Sequence, residues 1–187
     1  LLQRIGLWDE LRITYNADPL MVAVNPKMIN QAEHRHLVVE NKATFYDCLE
    51  HLKETGFTSL VYGAGWKAVS NLGLLPKQLG LDSVKNQVYY FGDLDYEGIS
   101  IWHFLKDRID VILAVPFYQA LLTKTKTLGK ENQRKNLEAL EQFKNCFLKE
   151  EGQKIKSLLE AGFYYPQEGL SKEQIKEAWG QIKWTST

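Results

Sequence analysis

The chain has 187 residues with 23 basic and 23 acidic side chains, so its formal net charge is zero and no global field draws it to nucleic acid or to a membrane; only local patches or bound cations could build a positive field. At 44% hydrophobic and 25% charged residues, the composition is that of a soluble globular protein long enough to bury its own core. No apolar run approaches the ~20 residues that span a bilayer and no signal-peptide pattern is read, which sets a cytoplasmic expectation.

Two cysteines, Cys48 and Cys146, lie in amphipathic helical contexts without a CxxC, and both are expected to be buried, reduced thiols. The chain opens at Leu1, without Met and inside what reads as structured sequence. It is therefore expected to be a piece of a longer protein, whose missing N-terminal part shares the function.

Residues 1–34 are expected to lead in as a hairpin or a pair of edge strands. Two apolar runs, Leu11-Arg12-Ile13-Thr14-Tyr15 and Leu20-Met21-Val22-Ala23-Val24, flank the turn-like Asn16-Ala17-Asp18-Pro19. Residues 35–122 then alternate. Leu37-Val38-Val39 is a β-branched run ending at Glu40. Lys42 to Glu54 carries Phe45, Cys48, Leu49 and Leu52 at helical spacing, and Gly56 closes it. Leu60-Val61-Tyr62 is a second strand, ending in Gly63-Ala64-Gly65. A short helix from Trp66 to Leu74 is followed by Pro76. Val88-Tyr89-Tyr90-Phe91 is a third strand. Gly98 to Arg108 is a helix with Ile101, Trp102 and Leu105 on one face. Val111-Ile112-Leu113-Ala114-Val115 is a fourth strand, stopped by Pro116.

Residues 123–187 read as a helical appendage. Lys130 to Leu148 places Leu137, Leu140, Phe143 and Phe147 on one stripe, and a second helix holds Ile155, Leu158 and Leu159. Phe163 to Glu168 is extended. A last helix starts at Ser171 with Gln174 three residues on, a capping box, and buries Ile175, Ala178, Trp179 and Ile182. Apolar strands separated by helices predict an α/β fold: a parallel four-stranded sheet covered by helices on both faces.

Chemistry concentrates after the third strand. Asp93, Asp95 and Glu97 stand at alternate positions, framed by Gly92 and Gly98, so a loop can turn their carboxylates toward one point. Three clustered carboxylates repel unless a cation neutralises them. An all-oxygen set suits Mg²⁺, Mn²⁺ or Ca²⁺ rather than zinc. Glu40 ends the first strand, and a parallel sheet brings it to the same edge. An acid after a strand is more often a helix cap than a ligand; four acids in this pattern favour a metal site.

At these residues the chain resembles the Toprim domain, whose signature is a Glu after the first strand and DxD, often DxDxEG, after the third. Here these are Glu40 in Val38-Val39-Glu40-Asn41 and Asp93-Leu94-Asp95-Tyr96-Glu97-Gly98. Together with Glu40-Asn41-Lys42-Ala43-Thr44-Phe45, Gly63-Ala64-Gly65 and Pro166-Gln167-Glu168, they are similar to the C-terminal region of the JetD family, the topoisomerase VI A-like nuclease subunit of Wadjet plasmid-defence systems. The resemblance implies a Toprim-like (Rossmann-like) fold, DNA as substrate, Mg²⁺ (or Mn²⁺) as cofactor and condensin-like partner subunits; a homodimer is left open.

On that reading Glu40, Asp93 and Asp95 are catalytic, and Glu40, Asp93, Asp95 and Glu97 bind metal. Gln167 and Glu168 stand behind them as a supporting or metal-linked pair. Lys42 and Lys67 are candidate DNA contacts, against a solvated role for each. Gly63 and Gly65 fit either a phosphate approach or a simple turn. The basic stretch Lys124, Lys126, Lys130, Arg134 and Lys135 is read first as solvated. No nucleophilic tyrosine is marked among nine, so hydrolysis is expected over transesterification. His34 and His36, placed before the first strand, are read as non-ligands. Trp66, Trp102, Trp179 and Trp184 are read mostly as core residues. The alternatives are another Mg²⁺-dependent phosphoryl-transfer enzyme, with Asp93 as nucleophile, or a non-catalytic metal- or DNA-binding module.

Overall fold

The computed structural model describes residues 18–129 and 133–182. Five strands form the main sheet: β1 (Met21–Val24), β2 (Glu33–Val39), β3 (Ser59–Tyr62), β4 (Lys85–Phe91) and β5 (Val111–Leu113), in the order β1-β3-β2-β4-β5. β2, β3, β4 and β5 are parallel, as the strand–helix alternation predicts, whereas β1 adds to β3 antiparallel with Met21 opposite Tyr62 and Val24 opposite Ser59. β1 falls in the Leu20–Val24 run, expected as a hairpin arm or an edge strand, and it joins the four parallel strands at the edge of the sheet. The Leu11–Tyr15 arm of the anticipated hairpin lies outside the described residues.

The central strands are buried on both faces, from Leu37, Val38 and Val39 to Tyr89, Tyr90 and Phe91. Their cover consists of two groups of helices. On one side α1 (Lys42–His51) and α5 (Val115–Leu121) pack on α8 (Lys172–Gly180). On the other, α2 (Trp66–Asn71) and α6 (Leu137–Lys144) pack on α4 (Tyr96–Lys106), and α6 on α7 (Lys149–Glu160). A short helix, α3 (Leu75–Leu79), precedes β4. The C-terminal helices share one hydrophobic core with the sheet, Trp179 meeting Phe57 and Phe117, and Phe143 meeting Trp102 and Tyr118.

Several boundaries differ from the sequence expectation for identifiable reasons. β2 begins at Glu33, so His34 and His36 lie inside the strand, fully buried. Their polar atoms are satisfied there: His34 Nδ1 meets Thr58 Oγ1 at 3.0 Å, and His36 meets Ser59 Oγ at 2.8 Å and Asn86 Oδ1 at 2.9 Å. β5 ends at Leu113, and Pro116 sits in the first turn of α5, where its missing N–H costs nothing. Pro76 follows the expected helical stretch, which runs as Trp66–Asn71 and a 3-10 turn Leu72–Leu74, and it also opens a further helix, α3.

The stretch from Lys130 is not one helix. Asn136 caps α6, its side chain accepting from Ala139 N–H at 3.1 Å, and a break at Asn145–Leu148 separates α6 from α7. Leu137, expected on the apolar stripe, is exposed, as is Leu49 on α1. The extended C-terminal segment stops early. β7 (Phe163–Tyr164) pairs antiparallel with β6 (Thr127–Leu128), and Gln167–Gly169 is a single 3-10 turn.

Cys48 is buried and Cys146 exposed, so only the first fits the expectation; they form no disulfide. Trp102 and Trp179 are core residues, Trp66 is 44% exposed, and Trp184 lies outside the described residues. Among the described residues, no helix is long and apolar enough to cross a membrane.

Candidate active site

The parallel order β3-β2-β4-β5 reverses direction between β2 and β4. The chain leaving β2 travels to β3 on one side, and the chain leaving β4 travels to β5 on the other. Connections that diverge in this way open a crevice at the carboxyl ends of the two strands, where ligands of α/β sheets bind. β2 and β4 stay in register to Val39 opposite Phe91, so Glu40 and the Gly92–Gly98 loop leave the sheet side by side at that crevice.

Two glycines show how close the approach is. A methyl group on Gly92 would overlap the Glu40 carboxylate and the Tyr90 hydroxyl, and one on Gly98 would overlap the Asp93 carbonyl oxygen. The Glu40 carboxylate therefore lies over the Gly92 backbone, and the loop closes tightly on itself. A cleft of about 370 Å³ opens here. Glu40, Asp93, Asp95 and Glu97 line it together with Trp66 and Lys67.

The four acids have different local duties. Asp95 is 3% exposed and caps α4, Oδ1 accepting from Gly98 N–H at 2.7 Å while Oδ2 accepts from Gln133 Nε2 at 2.7 Å. This cap starts the helix at Tyr96, two residues before its expected beginning. Asp93 Oδ1 accepts from Gln167 N–H at 2.8 Å. Glu97, the exposed residue of the otherwise buried first turn of α4, accepts from Trp66 Nε1 at 3.1 Å. Among the described residues, no three His, Cys, Asp or Glu side chains are grouped as a set able to hold a metal ion. The acids share a cleft without forming a closed chelate, and Asp93, Asp95 and Glu97 already accept from N–H donors. Their donor chemistry, all carboxylate, is nevertheless of the kind hard cations take.

Gln167 and Glu168 reach the same edge. Gln167 Oε1 accepts from Asn41 N–H at 2.8 Å, Gln167 Nε2 donates to Phe91 C=O, and Asn41 Nδ2 donates to Glu168 Oε1. The two lysines part company. Lys67 borders the cleft, its Nζ 3.9 Å from Asp18 in an open ion pair of little energetic weight. Lys42 is exposed on α1 and is not part of the cleft wall. Gly65 lines the cleft beside Ala64.

Some participants carry no mark in the sequence. Tyr118, fully buried on α5, accepts Gly92 N–H at 2.8 Å through its hydroxyl. Burial, followed by the charges of Glu40, Asp93 and Asp95, holds that hydroxyl well above the usual phenol range, against the pull of the Gly92 hydrogen bond. It stays a protonated, enclosed phenol beneath the acids. Gln133 and Trp66 also lack any periodic or motif signal. Asn41 does have one: a capping residue directly before a helical pattern, and its side chain accepts from Ala43 N–H at 2.7 Å.

With this geometry in place, one comparison identifies the family. The family model described as Wadjet protein JetD, C-terminal, matches residues 9–177. The chain belongs to that family. JetD is a component of the Wadjet anti-plasmid defence system, and the JetD match spans the crevice, the acidic loop and the Gln167–Glu168 turn alike. No curated protein matches the chain.

Proposed function

We propose that the chain is the Toprim-like catalytic part of a divalent-metal-dependent DNA endonuclease acting against plasmid DNA. The observation that carries this reading is the meeting of Glu40 with the Asp93–Glu97 loop at the reversal point between β2 and β4. Membership of the JetD family supplies the plasmid-defence setting.

Asp93 and Asp95 are the residues that would hold a metal ion, with Glu97 as an additional or water-mediated ligand. A bound Mg²⁺ or Mn²⁺ supplies neutralisation of the phosphate and of charge on the leaving oxygen. Asp95 fixes the loop on the helix start while offering its remaining lone pairs. Glu40, lying over Gly92, takes the proton of an attacking water or contributes to a second ion. Lys67, which lines the cleft, offers a cation to a phosphate, and Lys42, exposed on α1 outside it, would contact the duplex further away. The enclosed Tyr118 has no route to an attacking position, which favours hydrolysis over covalent strand transfer. DNA, the condensin-like subunits of the defence system and the rest of the same polypeptide are the partners of this reading; a homodimer is compatible with it.

The test is nicking of supercoiled plasmid by the full-length protein with Mg²⁺ or Mn²⁺. Cleavage by the wild type should fall by about a hundredfold or more in Asp93→Ala and in Glu40→Ala. Unchanged cleavage in either variant would remove that residue from the site.

A further inference from the structure

The β2–β4 ladder ends with Val39 opposite Phe91. One step further, the two strands would be expected either to bond again or to separate into solvent. Neither happens. The carboxamide of Gln167 stands between them, Oε1 accepting from Asn41 N–H on the β2 side at 2.8 Å and Nε2 donating to Phe91 C=O on the β4 side. A single planar amide thus presents an acceptor to one strand and a donor to the other, as the peptide group of an intervening strand would. The residue is 0% exposed, so these bonds compete little with water. Its own backbone N–H donates to Asp93 Oδ1 at 2.8 Å. Gln167 therefore touches the strand that carries Glu40, the strand that carries Asp93, and Asp93 itself.

We infer that Gln167 is a positioning residue, an amide spacer that fixes the gap between Glu40 and Asp93 and so the width of the site for metal and phosphate. This inference rests on the proposed reading of those acids. The side chain's identity follows from the geometry. Glutamate would set an acceptor against the Phe91 carbonyl and bring another negative charge beside Asp93. Methionine has nearly the same length and no hydrogen bonds, and would leave Asn41 N–H and Phe91 C=O without their present partners.

The segment does not depend on this side chain for its anchorage. Leu94 N–H donates to Tyr165 C=O at 2.9 Å, Tyr165 N–H donates back at 3.3 Å, and Tyr165, Leu170 and Ile175 are buried. Replacing the carboxamide should thus loosen the site without detaching the turn.

The experiment compares the full-length wild type with Gln167→Met and Gln167→Glu in three measurements: thermal unfolding, Mn²⁺ binding by calorimetry, and the Mn²⁺ dependence of plasmid nicking. Both variants should unfold cooperatively. Gln167→Met should bind Mn²⁺ about tenfold more weakly, and both variants should nick about 10- to 100-fold more slowly, the range seen when a group behind a metal ligand is lost. Wild-type Mn²⁺ affinity and nicking rate in a folded Gln167→Met or Gln167→Glu would overturn the inference and leave the proposed function standing. So would a loss that merely tracks the folded fraction. A wild type that neither binds Mn²⁺ nor nicks would overturn the proposed function and take this inference with it.

Discussion

Asp95 is the most constrained acid of the cleft. Its two oxygens serve Gly98 N–H and Gln133 Nε2, so one residue is at once a helix cap, an anchor for the stretch before α6 and a negative charge at the cleft. Substitutions separate these duties. Asp95→Asn keeps a capping oxygen and removes the charge, whereas Asp95→Ala removes both. Loss of a cap costs about 1 kcal/mol, so thermal or denaturant unfolding should rank Asp95→Ala clearly below Asp95→Asn, while plasmid nicking should be impaired in both. Equal stability of the two variants would show that the cap contributes nothing. Gly92 makes a related point about space. A methyl group at this position would push aside the ends of the Glu40 and Tyr90 side chains, so the glycine before Asp93 keeps those two groups where they are.

Among the elements, β2 shows best what a sequence can and cannot disclose. Leu37-Val38-Val39 announces a strand, and Glu40 at its end announces a carboxylate at the sheet edge. The polar first half of β2 was hidden because its partners come from elsewhere: Ser59 on β3 and Asn86 on β4 flank His36. Burial depresses the His36 pKa from 6.5 to about 4, against the Asn86 hydrogen bond, which acts to raise it. A neutral imidazole is thus built into the sheet. Above pH 6.5 the folded and unfolded states are both neutral here and the group has no pH-dependent effect. Between about 6.5 and about 4 the unfolded chain binds the proton that the folded one excludes, so stability falls with acidification by about 3 kcal/mol in all. A His36→Gln variant should show a shallower loss of melting temperature across that window, and identical slopes would exclude His36 as the cause. The acidic loop was legible for the opposite reason. DxDxE between two glycines is a local pattern, written in consecutive residues. Tyr118 and Gln133 belong to the same site but reach it through tertiary packing, which leaves no periodicity to read.

For the molecule as a whole, the sheet and the C-terminal helices share one hydrophobic core. Leu170, Ile175, Trp179 and Ile182 are all buried in the core cluster shared with β2 and β4. At ~1.5–3 kcal/mol for each large apolar side chain, their removal would cost on the order of 10 kcal/mol, comparable to the whole stability of a domain. A chain ending at Glu160 should therefore lose its cooperative thermal transition by circular dichroism; a sharp transition near that of the intact chain would show that the sheet stands alone.

The hydrogen bond from Asn41 to Gln167 joins positions 126 residues apart. On a ribosome the chain emerges from its N-terminus, so Glu40 and then the complete acidic loop are synthesised long before the residue that separates them. Throughout that interval the nascent polypeptide carries all four acids without the spacer that sets their distance. An interrupted translation product would inherit the same defect. Synthesis through Gln167 is thus a condition for the geometry of the cleft, and a chain released before it lacks the amide that sets the distance of Glu40 from the acidic loop.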